Sequence, residues 1–393
     1  MIRSIYGNGL EVKLWTEDIE KGAYRQIMNL SQHPFARKHV AIMPDCHEGF
    51  GMPIGGVLAT AGVIIPNAVG VDIGCGMSAV KTSLLEVEQS DLKKLMGRIR
   101  EAIPVGFRHH PRSQGDHRMP DPVILGFDPL DLPVVSREYE SAVCQVGTLG
   151  GGNHFIEIQK GDDGSIWIMI HSGSRNIGKQ VADYYNHKAV SINTEEGNGY
   201  GPKTELAWLS LESREGDEYV KEMQYCVSFG MCNRFLMMER IAQIFEDYYG
   251  SIFTVDDPVN IAHNYAAIEN HFGEELVIHR KGATKASKDM IGIIPGSQGT
   301  KSFIISGKGN PDSFESCSHG AGRLMGRNQA IRTLNLEDEI KKLDRLNILH
   351  SIRRKTDLDE APSAYKNINE VMSHQEDLVN VLVTLSPLAV IKG

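Results

Sequence analysis

Apolar residues recur at helical spacing in three parts of the chain. Residues 17–30 and 88–102 have the alternation of apolar and polar faces that predicts amphipathic helices. Residues 216–249 repeat apolar side chains mostly at three- and four-residue steps, which predicts one long helix. Methionines are prominent in this last stripe, and we interpret them as core packing rather than as a cofactor site.

Short apolar runs beside glycine- or histidine-bearing loops predict β-strands. These runs cover residues 40–43, 166–170, 276–278 and 303–305. Residues 191–217 are polar and glycine-bearing, and we expect a surface excursion there. The candidate site loops extend from position 45 to position 392, so we expect one catalytic domain of mixed α and β structure over residues 1–393.

Composition adds a concentration of glycine and a shortage of paired cysteines. The 393 residues include 40 glycines, about a tenth of the chain, gathered around histidine, asparagine and serine. We interpret them as loops where the backbone approaches a ligand closely. The six cysteines form no CxxC pair, which argues against a disulfide framework and against a zinc knuckle.

The formal net charge of −9 argues against a general nucleic-acid-coating protein. A local basic groove is compatible with it. The candidate basic clusters are His279-Arg280-Lys281 with Lys285, Arg353-Arg354-Lys355, and His109-His110 with Arg112. We interpret the second and third as solvated surface charge. Apolar runs stay well below 18 residues, which predicts a soluble, cytoplasmic protein without a membrane partner.

Two aspartate-bearing motifs differ in how strongly they indicate a ligand site. Asp72 and Cys75 stand three residues apart between glycines, so both side chains can converge on one cation, and a thiolate can also bridge two metals. The alternative is a turn aspartate beside a small buried cysteine. Asp45 and His47 follow a predicted strand, and by themselves indicate no more than a capped turn.

Four histidines stand beside glycine, serine or asparagine, which core packing explains poorly. His154 follows three glycines whose N–H groups can face an anion, and His171 ends an apolar strand. His263 precedes a predicted helix, and His319 has small residues on both sides, which leaves room for a group to be attached. In a regular strand Glu157 would face the same side as Phe155. We therefore expect that a functional role of Glu157 requires a bend of the strand or a partner at the edge of the loop.

Two further segments can contact phosphate. Ser174 or Asn176 can cap a helix after His171, and Arg175 at its start suits an anion. Residues 294–302 offer hydroxyls and glycine amides to a phosphate or a sugar. The mixture of Asp, Cys and His suits Mn²⁺, Fe²⁺, Co²⁺ or Zn²⁺ better than Mg²⁺. The residues alone therefore predict a metal site beside anion-binding loops and a reactive histidine.

Read in order, these motifs resemble the RtcB family of GTP-dependent RNA ligases. The strings that carry the resemblance are GVDIGCG, GGGNHFIE, HSGSRNIG, HNYA, HRKGAT, PGSQGTKS, SHGAGR and VIKG. They run along nearly the whole chain. The resemblance implies an α+β fold, a single RtcB-like domain built around a central β-sandwich with surrounding helices.

The resemblance also implies site residues. Two Mn²⁺ ions would be held by Asp72, Cys75 and His154 and by Cys75, His171 and His263, and His319 would become guanylylated. The implied GTP contacts are Asn153, His154, Phe155, Ile156, Glu157, His263, Asn264, Pro295, Gly296, Ser297, Gln298, Ser302, His319, Gly320, Ala321, Gly322, Tyr365 and Lys392. We take Arg175, Arg280, Lys281 and Arg323 as candidate RNA contacts.

The implied reaction joins an RNA 3′-phosphate or 2′,3′-cyclic phosphate to a 5′-hydroxyl through a histidine–GMP intermediate. No KxDG string occurs, which disfavours ligases with a lysine nucleophile. The alternative function is a metal-dependent phosphatase or nuclease that uses the same cluster without covalent nucleotide. We expect a monomer, and the sequence leaves open both the physiological RNA and the need for an activating protein.

Overall fold

The computed structural model describes residues 1–250 and 258–393, and its backbone forms two large β-sheets with helices around them. The strands are β1 (Arg3–Ile5), β2 (Glu11–Leu14), β3 (Ala36–Phe50), β4 (Met52–Thr60), β5 (Val63–Ile64), β6 (Gly76–Lys81), β7 (Phe155–Gly161), β8 (Ile166–Ser172), β9 (Leu209–Ser210), β10 (Val259–Ala262), β11 (Asn264–His271), β12 (Glu274–Lys281), β13 (Ala283–Lys285), β14 (Ile291–Ile294), β15 (Ser302–Gly307), β16 (Ser316–Ser318) and β17 (Val379–Lys392). The α-helices are α1 (Lys21–Ser31), α2 (Pro66–Val69), α3 (Gln89–Ala102), α4 (Pro122–Leu125), α5 (Pro133–Ala142), α6 (Arg175–Glu195), α7 (Tyr200–Thr204), α8 (Arg214–Tyr249), α9 (Arg327–Thr333), α10 (Leu336–Arg345) and α11 (Ile368–Ser373). Short 3-10 helices cover Asp116–Arg118, Pro129–Asp131, Pro311–Ser313, Lys355–Glu360 and Pro362–Ala364.

The two large sheets have interleaved connections. The first has the strand order β1-β2-β3-β4-β12-β11, in which only the β2–β3 pair is parallel. The second has the order β10-β6-β8-β7-β17-β15-β14 and is antiparallel throughout. Strands β13 and β16 form one small ribbon, and β5 and β9 form another. Because neighbouring strands come from distant parts of the sequence, loops from both halves of the chain meet at the sheet ends.

One apolar cluster joins the two sheets. It combines Met43 and Val57 of the first sheet with Ile294, Phe303 and Ile305 of the second. The outer face of the first sheet packs on α1, and the outer face of the second packs on α3 and α8. Two packed sheets enclosed by helices confirm the expected α+β class. The expectation of a single domain over residues 1–393 stays a prediction.

The second sheet follows from a period-two pattern in its central strands. Ile156, Ile158, Ile168 and Ile170 face α3 and α8, while Met169 faces the opposite side. Each fully buried isoleucine contributes about 1.5–3 kcal/mol relative to exposure. The alternation leaves one face of β7 and β8 for the helices and frees the other for polar residues.

The three predicted helices are confirmed as α1, α3 and α8. Ser213 caps the start of helix α8, because its Oγ accepts a hydrogen bond from the N–H of Gly216 at 3.0 Å, and Gly250 caps the end in the left-handed conformation. Most of the methionine stripe is buried, as Met223 and Met238 show, whereas Met231 is exposed. Among the described residues, none of the helices combines the length and apolar character that crossing a membrane requires.

Two sequence-based expectations were wrong. The 191–217 segment is not a surface excursion throughout, because residues 206–209 are buried and Asn193 exchanges two hydrogen bonds with the backbone of Trp208. Residues 206–209 form a short apolar run after a polar stretch, so the overall pattern of the segment did not indicate that they are buried. His263 precedes a strand and not a helix, because Asn264–His271 pairs along its whole length with β12.

A buried ion pair links β11 to β12. Arg280 is fully buried and donates two hydrogen bonds to the carboxylate of Glu269, at 2.7 and 2.9 Å. Lys285 lies 3.1 Å from the same carboxylate. Arg280 is therefore a structural residue, and its assignment as an RNA contact was wrong. Burial by itself would raise the pKa of Glu269, but Arg280 outweighs burial and lowers this pKa to about 2.

Replacing Glu269 with glutamine should destabilise the fold in a pH-dependent way. The pKa of this carboxyl falls from 4.5 to about 2 on folding, which corresponds to about 3 kcal/mol at pH 7. Because the folded pKa lies below the unfolded one, this stabilisation is present above about pH 4.5 and disappears as pH falls through about 2. Urea unfolding at pH 7 and pH 3 measures the free energy of unfolding of wild type and of Glu269→Gln. The difference between the two proteins should be smaller at pH 3 than at pH 7.

The control is Glu275→Gln on β12. Glu275 is exposed and forms no ion pair with any residue in 1–250 or 258–393, so this change should cost less than about 0.5 kcal/mol. If Glu269→Gln lowered the free energy of unfolding by the same amount at both pH values, this would contradict the assignment of Glu269 as the ionised partner of Arg280.

Candidate metal and nucleotide site

One cavity of about 430 Å³ collects most of the residues that the sequence indicated. The predicted residues in its wall are Asp72, Cys75, Asn153, Phe155, Glu157, His171, His263, Asn264, Pro295, Gly296, Ser297, Gln298, His319, Gly320, Ala321, Gly322, Tyr365 and Lys392. They come from loops at the ends of strands of both sheets and from the inner face of β7.

Three predicted nucleotide contacts lie behind the wall. His154 is buried beside Cys75, and Ser302 is buried with its hydroxyl accepting from the N–H of Gly296 at 3.1 Å. Ile156 is on the opposite face of β7, in the core against α3 and α8. Phe155 and Glu157 both line the cavity. The regular pairing of β7 with β8 puts them on one side, so no bend of the strand is needed.

Neighbouring strands bring four donor side chains together. The central order β10-β6-β8-β7 places Gly76 opposite both Ala262 and Ser172, and Phe155 opposite His171. Residues just outside these strand ends therefore meet. Cys75, His154 and His263 each flank one of these strands, and His171 is the second-last residue of β8.

The donor atoms form two groups that share one thiol. Cys75 Sγ lies 3.2 Å from His171 Nε2 and 3.4 Å from His154 Nε2. His263 Nε2 is 3.4 Å from His171 Nε2, and Asp72 Oδ2 is 3.3 Å from His154 Nε2. Within each of the groups Cys75–His171–His263 and Asp72–Cys75–His154, the donor atoms all lie within 4.8 Å of one another.

The donor set fits divalent cations. His171 Nδ1 lies 3.2 Å from the main-chain oxygen of Asn153, so this nitrogen carries the proton and Nε2 presents its lone pair to Cys75 and His263. Lone pairs of two imidazoles and a sulfur that face one another need a cation or a proton between them. Nitrogen and sulfur donors suit transition metals, and a shared thiolate can bridge two ions.

Burial sets the protonation of this cluster. It lowers the pKa of His171 and His263 well below the usual range, with the neighbouring histidines acting in the same direction, so both rings are neutral. Burial and the nearby Asp72 raise the pKa of the Cys75 thiol. Burial also opposes ionisation of Asp72, but its contacts with His154, Cys75 and His171 together outweigh burial and lower this pKa to about 2. A cation would meet one carboxylate and neutral imidazoles, and would displace the thiol proton.

Two buried residues of α8 hold the ligand-bearing loops. Asn233 Oδ1 accepts a hydrogen bond from the N–H of Gly147 at 2.7 Å. Arg234 Nη1 donates to the main-chain oxygens of Gly74 at 3.1 Å and Ser172 at 2.8 Å. These bonds tie the loops before and after the ligands to one rigid helix, so the donors are positioned before any ion binds.

A second constellation centres on His319. Its Nδ1 lies 2.7 Å from the buried carboxylate of Asp45, which also accepts hydrogen bonds from the main-chain N–H groups of His319 and Gly320 at 3.0 and 3.3 Å. With Nδ1 held in this way, Nε2 is the nitrogen available for chemistry. The rings of His319 and His263 are 4.8 Å apart between centroids, so the His319 ring adjoins the cluster of donor side chains.

Glu360 organises the far wall of the cavity. Arg323 Nη1 and Arg327 Nε lie 3.1 and 3.0 Å from its carboxylate, Lys392 Nζ lies 3.6 Å away, and the Tyr365 hydroxyl donates to it. Burial opposes ionisation of Glu360, but Lys392 and the two arginines outweigh it and lower the pKa to about 2. Arg323 is thereby neutralised, which weakens its assignment as an RNA contact.

Asp45 and Glu360 are the residues that sequence reasoning missed. Asp45 had a signal, because it stands in the polar string after a predicted strand, yet its target lies 274 positions away. Glu360 stands in an acidic, proline-bearing stretch without any motif. Both act by receiving hydrogen bonds from distant segments, which no local pattern encodes.

Arg175 and Lys281 are candidate RNA contacts that no carboxylate of the described residues neutralises. Lys281 donates to the main-chain oxygens of Phe50 and Asn67, and burial lowers its pKa to about 7. Arg175 donates to the Thr148 hydroxyl. Neither has a carboxylate within ion-pair distance in the described part of the chain, so each can still pair with a phosphate.

Comparison with known proteins identifies relatives along almost the whole chain. The family model described as tRNA-splicing ligase RtcB matches residues 26–124 and 129–393. RNA-splicing ligase RtcB of Escherichia coli strain K12 is 38% identical over 407 residues, covering 97% of each chain. RNA-splicing ligase RtcB of Mycobacterium tuberculosis is 32% identical, covering 94% of this chain and all of the relative. tRNA-splicing ligase RtcB of Thermococcus kodakarensis is 29% identical, covering 94% and 90%.

Removing the shared thiol should weaken both groups of donors at once. We expect Cys75→Ala to lower the affinity for a divalent cation by about 100-fold or more, because the lost sulfur belongs to both sets. Equilibrium dialysis with elemental analysis measures the ions bound per chain. Cys232→Ala, a half-buried thiol on α8, is the matched control and should bind as wild type does. Unchanged binding by Cys75→Ala would contradict the shared-ligand geometry.

Proposed function

The chain belongs to the RtcB family of RNA-splicing ligases, and we propose that it joins an RNA 3′-phosphate or 2′,3′-cyclic phosphate to a 5′-hydroxyl at the expense of GTP. The observation that carries this proposal is the pairing of His319 with Asp45 beside the Asp–Cys–His cluster. A histidine fixed at one nitrogen and adjacent to cation ligands suits attack on a phosphorus atom.

We assign the cluster to two Mn²⁺ ions, with Cys75 shared between them. Asp72 and His154 complete one position, and His171 and His263 complete the other. When bound, the ions would polarise phosphoryl oxygens and align attacking and leaving groups. The residues of the chain supply the rest of the chemistry.

In the first step His319 Nε2 forms a bond to the α-phosphorus of GTP. The bond from that phosphorus to the bridging oxygen breaks, and pyrophosphate leaves. The proton on His319 Nδ1 stays hydrogen-bonded to the carboxylate of Asp45. This bond keeps the imidazole ring oriented and stabilises the positive charge that develops on the ring. The product is a histidine–GMP phosphoramidate, made without any change in oxidation state.

The later steps transfer and expel GMP. A 2′,3′-cyclic end is first hydrolysed to a 3′-phosphate, whose oxygen then attacks the GMP phosphorus and releases His319. The 5′-hydroxyl of the second strand attacks the activated 3′-phosphorus, and GMP leaves as the new phosphodiester forms. Arg175 and Lys281 remain available to bind phosphates of the strands during these steps.

We propose that the guanosine nucleotide lies along the cavity wall formed by β7, the 295–298 loop and the 320–322 loop. Lys392 Nζ stands 5.8 Å above the ring of Phe155, so a cation and an aromatic face border the same space. Burial raises the pKa of Glu157 to about 8, so a polar group can face the nucleotide there without a full charge. We also propose that the protein works in the cytoplasm as a monomer.

A metallohydrolase with the same cluster would need no bound nucleotide, and covalent labelling separates the two functions. With GTP labelled at the α-phosphate and Mn²⁺, we expect one label per wild-type chain. The label should be acid-labile and stable to alkali, as a phosphoramidate is. His319→Ala should give none, because it removes the attacking nitrogen. His187→Ala, an exposed histidine on α6, is the control and should label normally. A label that survives His319→Ala would overturn the mechanism.

Asp45→Asn tests whether the carboxylate orients His319. The amide keeps the size of the side chain but loses its charge, so we expect labelling by GTP to slow by about 100-fold or more, in the range of comparable triad changes. Mn²⁺ binding should stay normal, because Asp45 belongs to neither donor group. Rapid-quench labelling at saturating GTP measures the rate, and an unchanged rate would contradict the role.

A further inference from the structure

The loop of residues 106–112, with the sequence GFRHHPR, lies against the glycine-rich wall of the site. We call it the GF loop. The N–H of Gly106 donates to the main-chain oxygen of Gly150 at 2.9 Å, and Gly150 packs so tightly on His154 that a Cβ there would lie 2.7 Å from its Nδ1. This chain of contacts limits the distance from Phe107 Cα to the His154 ring to about 14 Å.

The GF loop is anchored on both sides of a short tip. Beyond the tip, the N–H of His110 donates to the main-chain oxygen of Cys144 at 3.0 Å, and the His110 ring contacts Arg240 at 2.8 Å. Residues 107–109 between the anchors are exposed. The tip is therefore presented to solvent from a fixed base.

Phe107 is the most exposed large apolar side chain among the described residues. Its relative exposure is 102%, so none of the other residues in 1–250 and 258–393 covers it. A phenylalanine ring left in water gives up the favourable free energy of burial, which makes a fully exposed ring at the edge of a site a candidate contact for a ligand.

The charges around Phe107 indicate what kind of ligand it meets. Arg108 and Arg112 are exposed, and neither forms an ion pair with any of residues 1–250 or 258–393. Residues 102–115 contain no aspartate or glutamate, in a chain whose net charge is −9. An acid-free segment with an aromatic ring between unpaired cations is complementary to a single-stranded nucleic acid.

We propose that the GF loop binds an unpaired nucleotide of the RNA substrate close to the end that reacts. The base stacks on Phe107, and Arg108 and Arg112 contact phosphates of the same strand. This inference rests on the proposed ligase function and extends it to a second contact outside the cavity. It also revises the interpretation of His109-His110 with Arg112 as solvated surface charge.

A docking protein is the competing occupant, and the observations favour RNA over it. A protein interface would place further apolar side chains beside Phe107, whereas its neighbours at positions 108–112 are arginine, histidine and proline. The loop also sits beside the wall of the site to which the RNA end must come.

The test measures RNA binding by the full chain with Mn²⁺ and without GTP. The probes are two single-stranded RNAs, one ending in a 3′-phosphate and one starting with a 5′-hydroxyl, each with 2-aminopurine at one of the five nucleotides nearest that end. We expect Phe107→Ala to weaken binding of one strand by about tenfold, the range of one lost stack. The emission of one 2-aminopurine position should be quenched by wild type and by Phe107→Trp but not by Phe107→Ala.

Ile124→Ala is the matched control. Ile124 is 86% exposed like Phe107, but it stands between Asp121 and Asp128, so its loss should leave RNA binding unchanged. Arg108→Ala and Arg112→Ala should each reduce the slope of log affinity against log salt by about 0.7. The strand that loses affinity identifies whether the donor or the acceptor end lies on the loop.

Labelling by GTP separates failure of this inference from failure of the ligase proposal. Phe107→Ala should label on His319 at the wild-type rate, because its side chain is outside the cavity wall. Normal RNA affinity and quenching in Phe107→Ala would overturn the inference and leave the ligase function standing. Wild-type protein that neither labels nor binds RNA would overturn the ligase proposal itself.

Discussion

The convergence of two donor groups on one buried sulfur is the constraint on which the site depends. Cys75 contacts His154 and His171 while burial and Asp72 hold its proton in place. Such a cluster is unfavourable unless a cation or a proton separates its lone pairs, so it requires a rigid frame. Asn233 supplies part of that frame from α8, by bonding the backbone of the loop that leads to the glycine triplet.

Strand order explains why donor side chains from positions 72 to 263 meet in one cluster. The four strands β10, β6, β8 and β7 are neighbours, and each has a donor at or just beyond its end. The register between β6 and β8 sets the distance from Cys75 to His171. A one-residue slip would turn His171 to the helix-facing side, so the apolar alternation that packs the sheet also determines the arrangement of the donor side chains.

The sequence predicted those features that depend on residues close to one another in the chain. Helical periodicity was sufficient for α3 and α8, and glycine-flanked donors were sufficient to nominate the cluster. The helix expected after His263 was wrong, because pairing with β12 decides that segment. The roles of Asp45 and Glu360 could not be predicted, since His319 and Arg323, with which they pair, are far away in sequence. The family resemblance supplied the roles of GTP, Mn²⁺ and RNA, which residue spacing alone does not contain.

The distribution of charge explains how an acidic chain can still receive RNA. Buried carboxylates neutralise the cations that organise the fold, as Glu269 does for Arg280 and Glu360 does for Arg323. Arg175 and Lys281 instead donate to hydroxyl and carbonyl groups, so no carboxylate of the described residues competes with a phosphate for them. Because so few cations near the cavity remain unpaired, recognition has to rest on a small number of contacts. Each should therefore carry a measurable share of the affinity, and the salt dependence should be shallow compared with that of a broadly basic nucleic-acid-binding surface.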